Sequence, residues 1–192
     1  MKKILLHTCC APCSIFPIQI LKKENMDVMG YFFKSNIHPY TECMRRLETL
    51  ETYAKTISMK LLVEEEYNLE SFIQDVVFRE SDRCRLCYHT RLKSTAILAK
   101  KGKFDCFSTT LLYSKFQNHE LIKTIGENTG RSVGIDFFYQ DFRTGWKQGV
   151  EESKQMGMYR QQYCGCIYSE KDRYYKSKKE SLKPVKNPNM DT

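Results

Sequence analysis

No apolar run in this 192-residue chain is long enough to cross a bilayer. The first run, Ile4 to Leu6, is far shorter than the apolar core of a secretory signal, and charges resume at Lys22 and Lys23. Internal repeats are lacking, and so is the tandem four-cysteine spacing of bacterial ferredoxins. Negative charge is scarce: 23 acidic residues face 31 basic ones, for a net +8. These absences exclude a membrane span and predict a cytosolic chain with an anionic partner. The basic excess gathers late, where Lys171, Arg173, Lys176, Lys178, Lys179, Lys183 and Lys186 meet only Asp172 and Glu180. Such a stretch is either a solvated tail or an RNA contact.

What the chain has in plenty is cysteine, nine in all. Cytosolic thiols stay reduced, and an odd count fits a disulfide framework poorly. Clustered cysteines then point to metal, iron–sulfur or redox chemistry. Cys43 lies within a predicted helix and Cys106 at the head of a strand, so both read as packing. Seven others fall into three groups. "CCAPC" holds Cys9, Cys10 and Cys13 in a turn beside Pro12. "RCRLC" spaces Cys84 and Cys87 as C-x-x-C, and "YCGC" sets Cys164 and Cys166 around Gly165. A structural zinc stops at four ligands. Seven thiols imply either two metal sites or one cluster joined by redox-active thiols.

Apolar runs at Lys3–Thr8, Val28–Lys34, Lys60–Glu65 and Cys106–Leu112 read as buried strands. Amphipathic segments at Ile15–Lys23, Thr41–Ser58, Leu69–Phe78, His89–Lys100 and Asn118–Asn128 read as helices, with more near Thr144–Met156 and Tyr168–Lys179. This alternation predicts a Rossmann-like (HUP-like) parallel sheet with helices on both faces, as one domain over 1–180. The Pro-, Asn- and Lys-rich end, 181–192, reads as a flexible tail. In open α/β sheets ligands bind beyond the carboxyl ends of the strands. "CCAPC" and "SNIHPY" follow strands and "TTLLYS" ends one, so all three should reach that edge.

With these residues assembled, the chain resembles the cobalamin-independent epoxyqueuosine reductases of the QueH family. The likeness rests on "LLHTCCAPCS", "NIHPYTECMRRL", "DRCRLCYHTRLKSTAILAK", "FDCFSTTLLYSKFQN" and "FFYQDFRTGWKQGVEESKQMGMYRQQYCGCIYS", and it covers nearly everything up to about Tyr168. Two departures stand out: Ser114-Lys115 where the family often has Ser-Pro, and Cys13 where some members carry a carboxylate.

The resemblance implies the last step of queuosine formation. The epoxide of epoxyqueuosine, at the wobble position of tRNA, is reduced to an alkene by an oxidoreductase with a [4Fe–4S] cluster. Carried over by residue, the cluster ligands would be Cys9, Cys10, Cys84 and Cys87. Cys164 and Cys166 would cycle through a disulfide, or bind a second mononuclear metal (iron) with Cys13. Either role would supply what a one-electron cluster lacks in a two-electron reduction. An electron donor is required as a partner. Among proton sources, Asp141 stands ahead of His7, Asp82, His89 and Tyr159. Arg143 and Arg160 could clamp phosphate, and Tyr159 and Tyr163 could stack on RNA bases. Two rivals remain. A zinc-stapled RNA-binding module accounts for the charge but leaves three thiols idle. An ATP-dependent tRNA thiolase would need a glycine-rich phosphate loop where this chain has "HTCCAPCS".

Overall fold

A computed structural model describes residues 1–176. Five strands, β1 (Lys2–Thr8), β2 (Met26–Phe32), β3 (Leu61–Val63), β4 (Cys106–Thr109) and β5 (Asp136–Phe137), form one sheet in the order β3-β2-β1-β4-β5. All its pairings are parallel. Parallel neighbours need crossovers, and helices supply them: α1 (Ala11–Lys23), α2 (Tyr40–Thr56), α3 (Leu69–Val76), α4 (Arg83–Lys101) and α5 (His119–Val133). Two more, α6 (Trp146–Gln155) and α7 (Ile167–Tyr174), follow the last strand. α1 packs on α2 and α6, and α4 packs on α5. The sheet thus lies between two helical layers, which is the Rossmann-like arrangement the alternation predicts.

β1 is the middle strand, and its Ile4, Leu5 and Leu6 are fully buried. A strand covered on both faces is apolar without alternation. From β1 the chain first moves outward to β2 and β3, then returns to the other side of β1 as β4. The carboxyl ends of β1 and β4 therefore flank the topological switch point, where such sheets open a crevice. His7 and Thr109 form the last register pair between them. Cys9 follows β1 and Thr110 follows β4, so the sheet itself delivers both to the crevice.

Several boundaries shift from the sequence expectations. α1 begins at Ala11, so Cys13 lies in a helical turn rather than in a loop; Pro12 near the helix start needs no N–H partner there. α4 begins at Arg83 and takes Cys84 and Cys87 into its first turns. β4 stops at Thr109, whose hydroxyl accepts from the Leu111 amide and starts a 3-10 turn over Thr110–Tyr113. β5 has two residues, too few to leave a periodic signature. α5 runs on to Val133 and closes on Gly134 at φ 75°, a left-handed cap suited to glycine. The proposed domain end at 180, the tail at 181–192, the last residues of the Tyr168–Lys179 helix and Lys178, Lys179, Lys183 and Lys186 lie outside the described residues.

Candidate functional site

Each of the three cysteine groups stands at the amino end of a helix. Cys10 is the N-cap of α1 with Cys13 in its first turn, Cys84 and Cys87 open α4, and Cys166 is the N-cap of α7. The unpaired amides and dipole of a helix start favour anionic sulfur. The sulfurs of Cys9, Cys10 and Cys13 all lie within 4.8 Å of one another. Contacts with the Cys10 and Cys13 thiols hold Cys9 well below the ordinary thiol range. Burial pushes Cys10 up, and the contacts to Cys10 and Cys9 push Cys13 up. Within the trio a negative charge is thus favoured on Cys9 over Cys10 and Cys13. All nine cysteines are free thiols, so the Cys164–Cys166 disulfide implied by one branch of the sequence reading is not formed. Cys43 and Cys106 are buried in the core, as packing requires.

Two buried arginines organise the sulfurs. Arg91 of α4 is 3% exposed and meets no carboxylate among the described residues. Its Nε donates to Cys87 Sγ at 3.3 Å, its Nη1 contacts His7 Nε2 at 3.2 Å, and its Nη2 donates to the Asn36 carbonyl at 3.1 Å. Burial disfavours its charge, yet Cys87, Cys9 and Cys164 keep it protonated. The guanidinium is therefore within electrostatic reach of all three cysteine groups. Since arginine only donates, His7 Nε2 must accept, and its Nδ1–H donates to Thr109 Oγ1 at 2.8 Å. Burial and Arg91 hold the imidazole down to about 3, so His7 is neutral scaffolding.

Arg46 of α2 is 1% exposed. Its Nε pairs with Glu42 at 2.7 Å, while Nη1 and Nη2 donate to the carbonyls of Cys164 and Tyr163 at 2.8 and 3.0 Å. The CGC segment is thereby tied to α2. Carboxamides complete the sulfur environment. Asn36 Nδ2 donates to Cys87 at 3.1 Å, Gln161 Nε2 to Cys10 at 2.9 Å and Cys13 at 3.3 Å, and Gln117 Nε2 to Cys164 at 3.4 Å. Each of these contacts donates to sulfur and so offsets part of the burial that pushes Cys10, Cys87 and Cys164 up.

Beside the thiols opens a cavity of about 350 Å³. Cys13, Cys164 and Gln161 line it together with Tyr113, Trp146, Arg160 and Arg173, and no carboxylate is among its described lining residues. A larger cavity of about 530 Å³ lies at the amino end of the strands, against Lys2, Met26 and Asp136, far from the cysteine groups in the fold. The smaller one brings sulfur on one side together with positive charge on another.

The other sequence candidates fall as follows. Arg160 lines the cavity. Arg143 instead forks onto Asp141 at 2.6 to 3.1 Å, and this pairing holds Asp141 down to about 2. An ionised Asp141 has no proton to give at neutral pH, and neither partner lines the thiol cavity. Tyr159 donates to Glu42, and the Arg45 guanidinium covers its ring at 3.9 Å. Tyr163 lines the cavity, with its hydroxyl donating to the His38 carbonyl at 2.6 Å. Arg46, Arg91, Asn36, Gln117 and Gln161 escaped the sequence reading. The two arginines did leave a signal, a charge inside an otherwise apolar helical stripe: Cys43, Leu47 and Leu50 around Arg46, and Tyr88, Leu92 and Ala96 around Arg91.

Soft sulfur donors select iron–sulfur clusters, zinc or copper(I). Cys9, Cys10 and Cys13 can therefore hold a metal, trading their shared protons for it. The fold and site define a class of doubly wound α/β protein with a thiol-rich centre, able to hold a metal, at its switch point. The structure of a "predicted subunit of tRNA methyltransferase" from Methanocaldococcus jannaschii shares this fold, with a TM-score of 0.55 at 12% identity over 80% of this chain and 75% of that one. The family model for epoxyqueuosine reductase QueH matches residues 4–172, and the chain belongs to that family of oxidoreductases. The epoxyqueuosine reductase QueH of Dehalococcoides mccartyi is 33% identical over 91% of this chain and 96% of its own length. That of Thermotoga maritima is 34% identical over 88% and 91%. Among the described residues no helix is long and apolar enough to cross a membrane.

Proposed function

We propose that this chain reduces epoxyqueuosine to queuosine at the wobble position of tRNA, in the cytosol, using an iron–sulfur centre held by its cysteines. The observation that carries the reading is the 350 Å³ cavity, in which thiols of two separate motifs face two arginines and no carboxylate. A nucleotide is an anion carrying a flat ring, and such a cavity offers charge, aromatic wall and sulfur together. The reaction takes two electrons and two protons: both carbon–oxygen bonds of the epoxide break, an alkene forms and the oxygen leaves as water.

Cys9, Cys10, Cys84 and Cys87 are the proposed ligands of a [4Fe–4S] cluster. Both motifs stand at helix starts, and Arg91 touches Cys87 while sensing the charge of Cys9. Such a cluster, when bound, supplies electrons one at a time. Cys13, Cys164 and Cys166 are the additional thiols, either a dithiol that stores the second electron or ligands of a mononuclear iron. One observation favours a different partition. Sulfurs on a single tetrahedral ion stand about 3.8 Å apart, and Cys9 and Cys10 are 3.9 Å apart. In that version Cys9, Cys10 and Cys13 share one ion.

Around the reacting centre the remaining residues bind and orient. Arg160 and Arg173 take phosphate, Tyr113 and Trp146 wall the ring, and Gln161 and Gln117 fix the sulfurs that face it. An external donor restores the electrons. Single-turnover reduction by Cys164→Ser and Cys166→Ser proteins, with iron and sulfide content matched to the parent, tests the extra thiols. Loss of turnover in either supports their chemical role, and full activity in both removes it. A colourless, zinc-containing protein on anaerobic purification would instead favour a zinc-stapled RNA-binding module.

A further inference from the structure

At the mouth of the thiol cavity an aromatic stack runs from the core out to solvent. Tyr113 and Trp146 stack with centroids 5.1 Å apart and planes 29° apart. Phe116 sets its ring against Trp146 at 5.7 Å and 80°. Tyr113 is 2% exposed, whereas Phe116 leaves 83% of its surface in solvent. The Lys115 ammonium hangs 5.9 Å from the Trp146 ring. Single exposed apolar residues are ordinary on protein surfaces. Phe116 differs because it extends an aromatic stack outward along the rim of a cavity with arginine walls and thiols at its base.

We propose that Phe116 and Trp146 form a stacking platform for an unpaired RNA base, the neighbour of the nucleotide that enters the cavity, with Lys115 on the adjoining phosphate. The inference rests on the reading that this cavity takes the wobble nucleotide of tRNA. A nucleotide drawn to the thiols leaves its own stack, and its neighbour then loses one covered face. An aromatic ring at the rim replaces that face. The platform offers π-surface and a cation, and no carboxylate is among the described residues lining the cavity, so it holds a base chiefly by stacking and tolerates any sequence. Charge selects RNA over an apolar protein partner: Lys115, Arg160 and Arg173 surround the mouth, and no acidic side chain lines it among the described residues.

Trp146 is the only tryptophan of the chain and reports directly on the platform. The full-length, iron-loaded protein is titrated anaerobically with an anticodon stem-loop RNA carrying epoxyqueuosine, and Trp146 fluorescence and Kd are recorded. Turnover of the same RNA is followed with dithionite as the electron source. Binding should quench Trp146. Phe116→Ala should raise Kd about 5- to 150-fold, the range that loss of one base–aromatic stack produces. Phe116→Tyr should restore most of it, and Lys115→Ala should flatten the salt dependence by about one phosphate contact. The platform is overturned if the parent protein binds and reduces the stem-loop while Phe116→Ala binds it equally well. A Phe116→Ala defect seen only with a protein electron donor, never with dithionite, assigns the patch to that protein and also overturns the platform. If the parent protein neither binds nor reduces the stem-loop, the underlying reading fails first and takes the platform with it.

Discussion

Arg46 offers the sharpest perturbation of the site's framework. Its guanidinium is buried, its one carboxylate partner Glu42 is 9% exposed, and its other two donors reach the Tyr163 and Cys164 carbonyls. Arg46→Met keeps much of the volume but leaves Glu42 as a buried charge without its counter-ion. Breaking such a pair from one side costs about 3–5 kcal/mol. The two carbonyls add little, because the part-exposed CGC segment gives water access to them. For a domain of this size each kcal/mol moves Tm by roughly 2–4 °C, so the variant should melt about 6–20 °C below the parent. The Glu42→Gln/Arg46→Met double variant should recover part of that loss, since no uncompensated charge remains. Anaerobic thermal denaturation of parent, single and double variants measures this. A single variant within about 1 kcal/mol of the parent, or a double variant less stable than the single, would refute the account of Arg46 as a buried tether.

Two further predictions concern the sulfur environment. Arg91 is a buried cation that faces sulfurs and no described carboxylate, so Arg91→Gln should make the iron centre harder to reduce. At an effective dielectric of about 20 and a separation on the order of 6 Å the lost attraction is about 2–3 kcal/mol, roughly 0.1 V for one electron; an unchanged potential in a spectroelectrochemical titration would show that Arg91 is remote from the metal. His7 gives a pH signature. Its folded pKa, about 3, lies below the unfolded value of 6.5, so the unfolded chain binds the proton first. Stability is complete above pH 6.5 and falls by up to about 1.4 kcal/mol per pH unit as pH drops toward 3. Denaturant midpoints between pH 7 and 4 should decline less steeply in His7→Gln, and parallel slopes would remove His7 as the cause.

Much of the fold was legible because its signals are periodic. Ile4 to Leu6 had to be a buried strand, and the three- and four-residue steps through Leu47, Leu50, Tyr53 and Ala54 had to be a helix face. β5 stayed hidden because two residues cannot show a period. Helix starts were misplaced at the cysteine motifs for a physical reason. Cys10 and Cys13, or Cys84 and Cys87, carry no propensity that separates a loop from a first helical turn, and the helix dipole that favours their sulfurs is itself a tertiary product. The cysteines announced the site by type and spacing. Of the residues that hold them, Gln117, Arg46 and Gln161 act across 47, 118 and 151 positions of sequence, while Arg91 reaches Cys87 across 4, and only three dimensions show which cysteine each one meets. Tyr159 and Arg143 show the converse: residue type suited RNA contact, yet Glu42 and Asp141 occupy their polar groups.

The central claim is that sulfurs gathered at the switch point of the sheet carry electrons to an epoxide in the adjoining cavity. Mass spectrometry of an epoxyqueuosine anticodon stem-loop after one anaerobic turnover, with the pre-reduced iron-loaded protein as sole reductant, tests it most directly. The account predicts a nucleoside lighter by one oxygen atom, formed in proportion to the protein present. An unchanged nucleoside beside a fully loaded and reduced centre would contradict it.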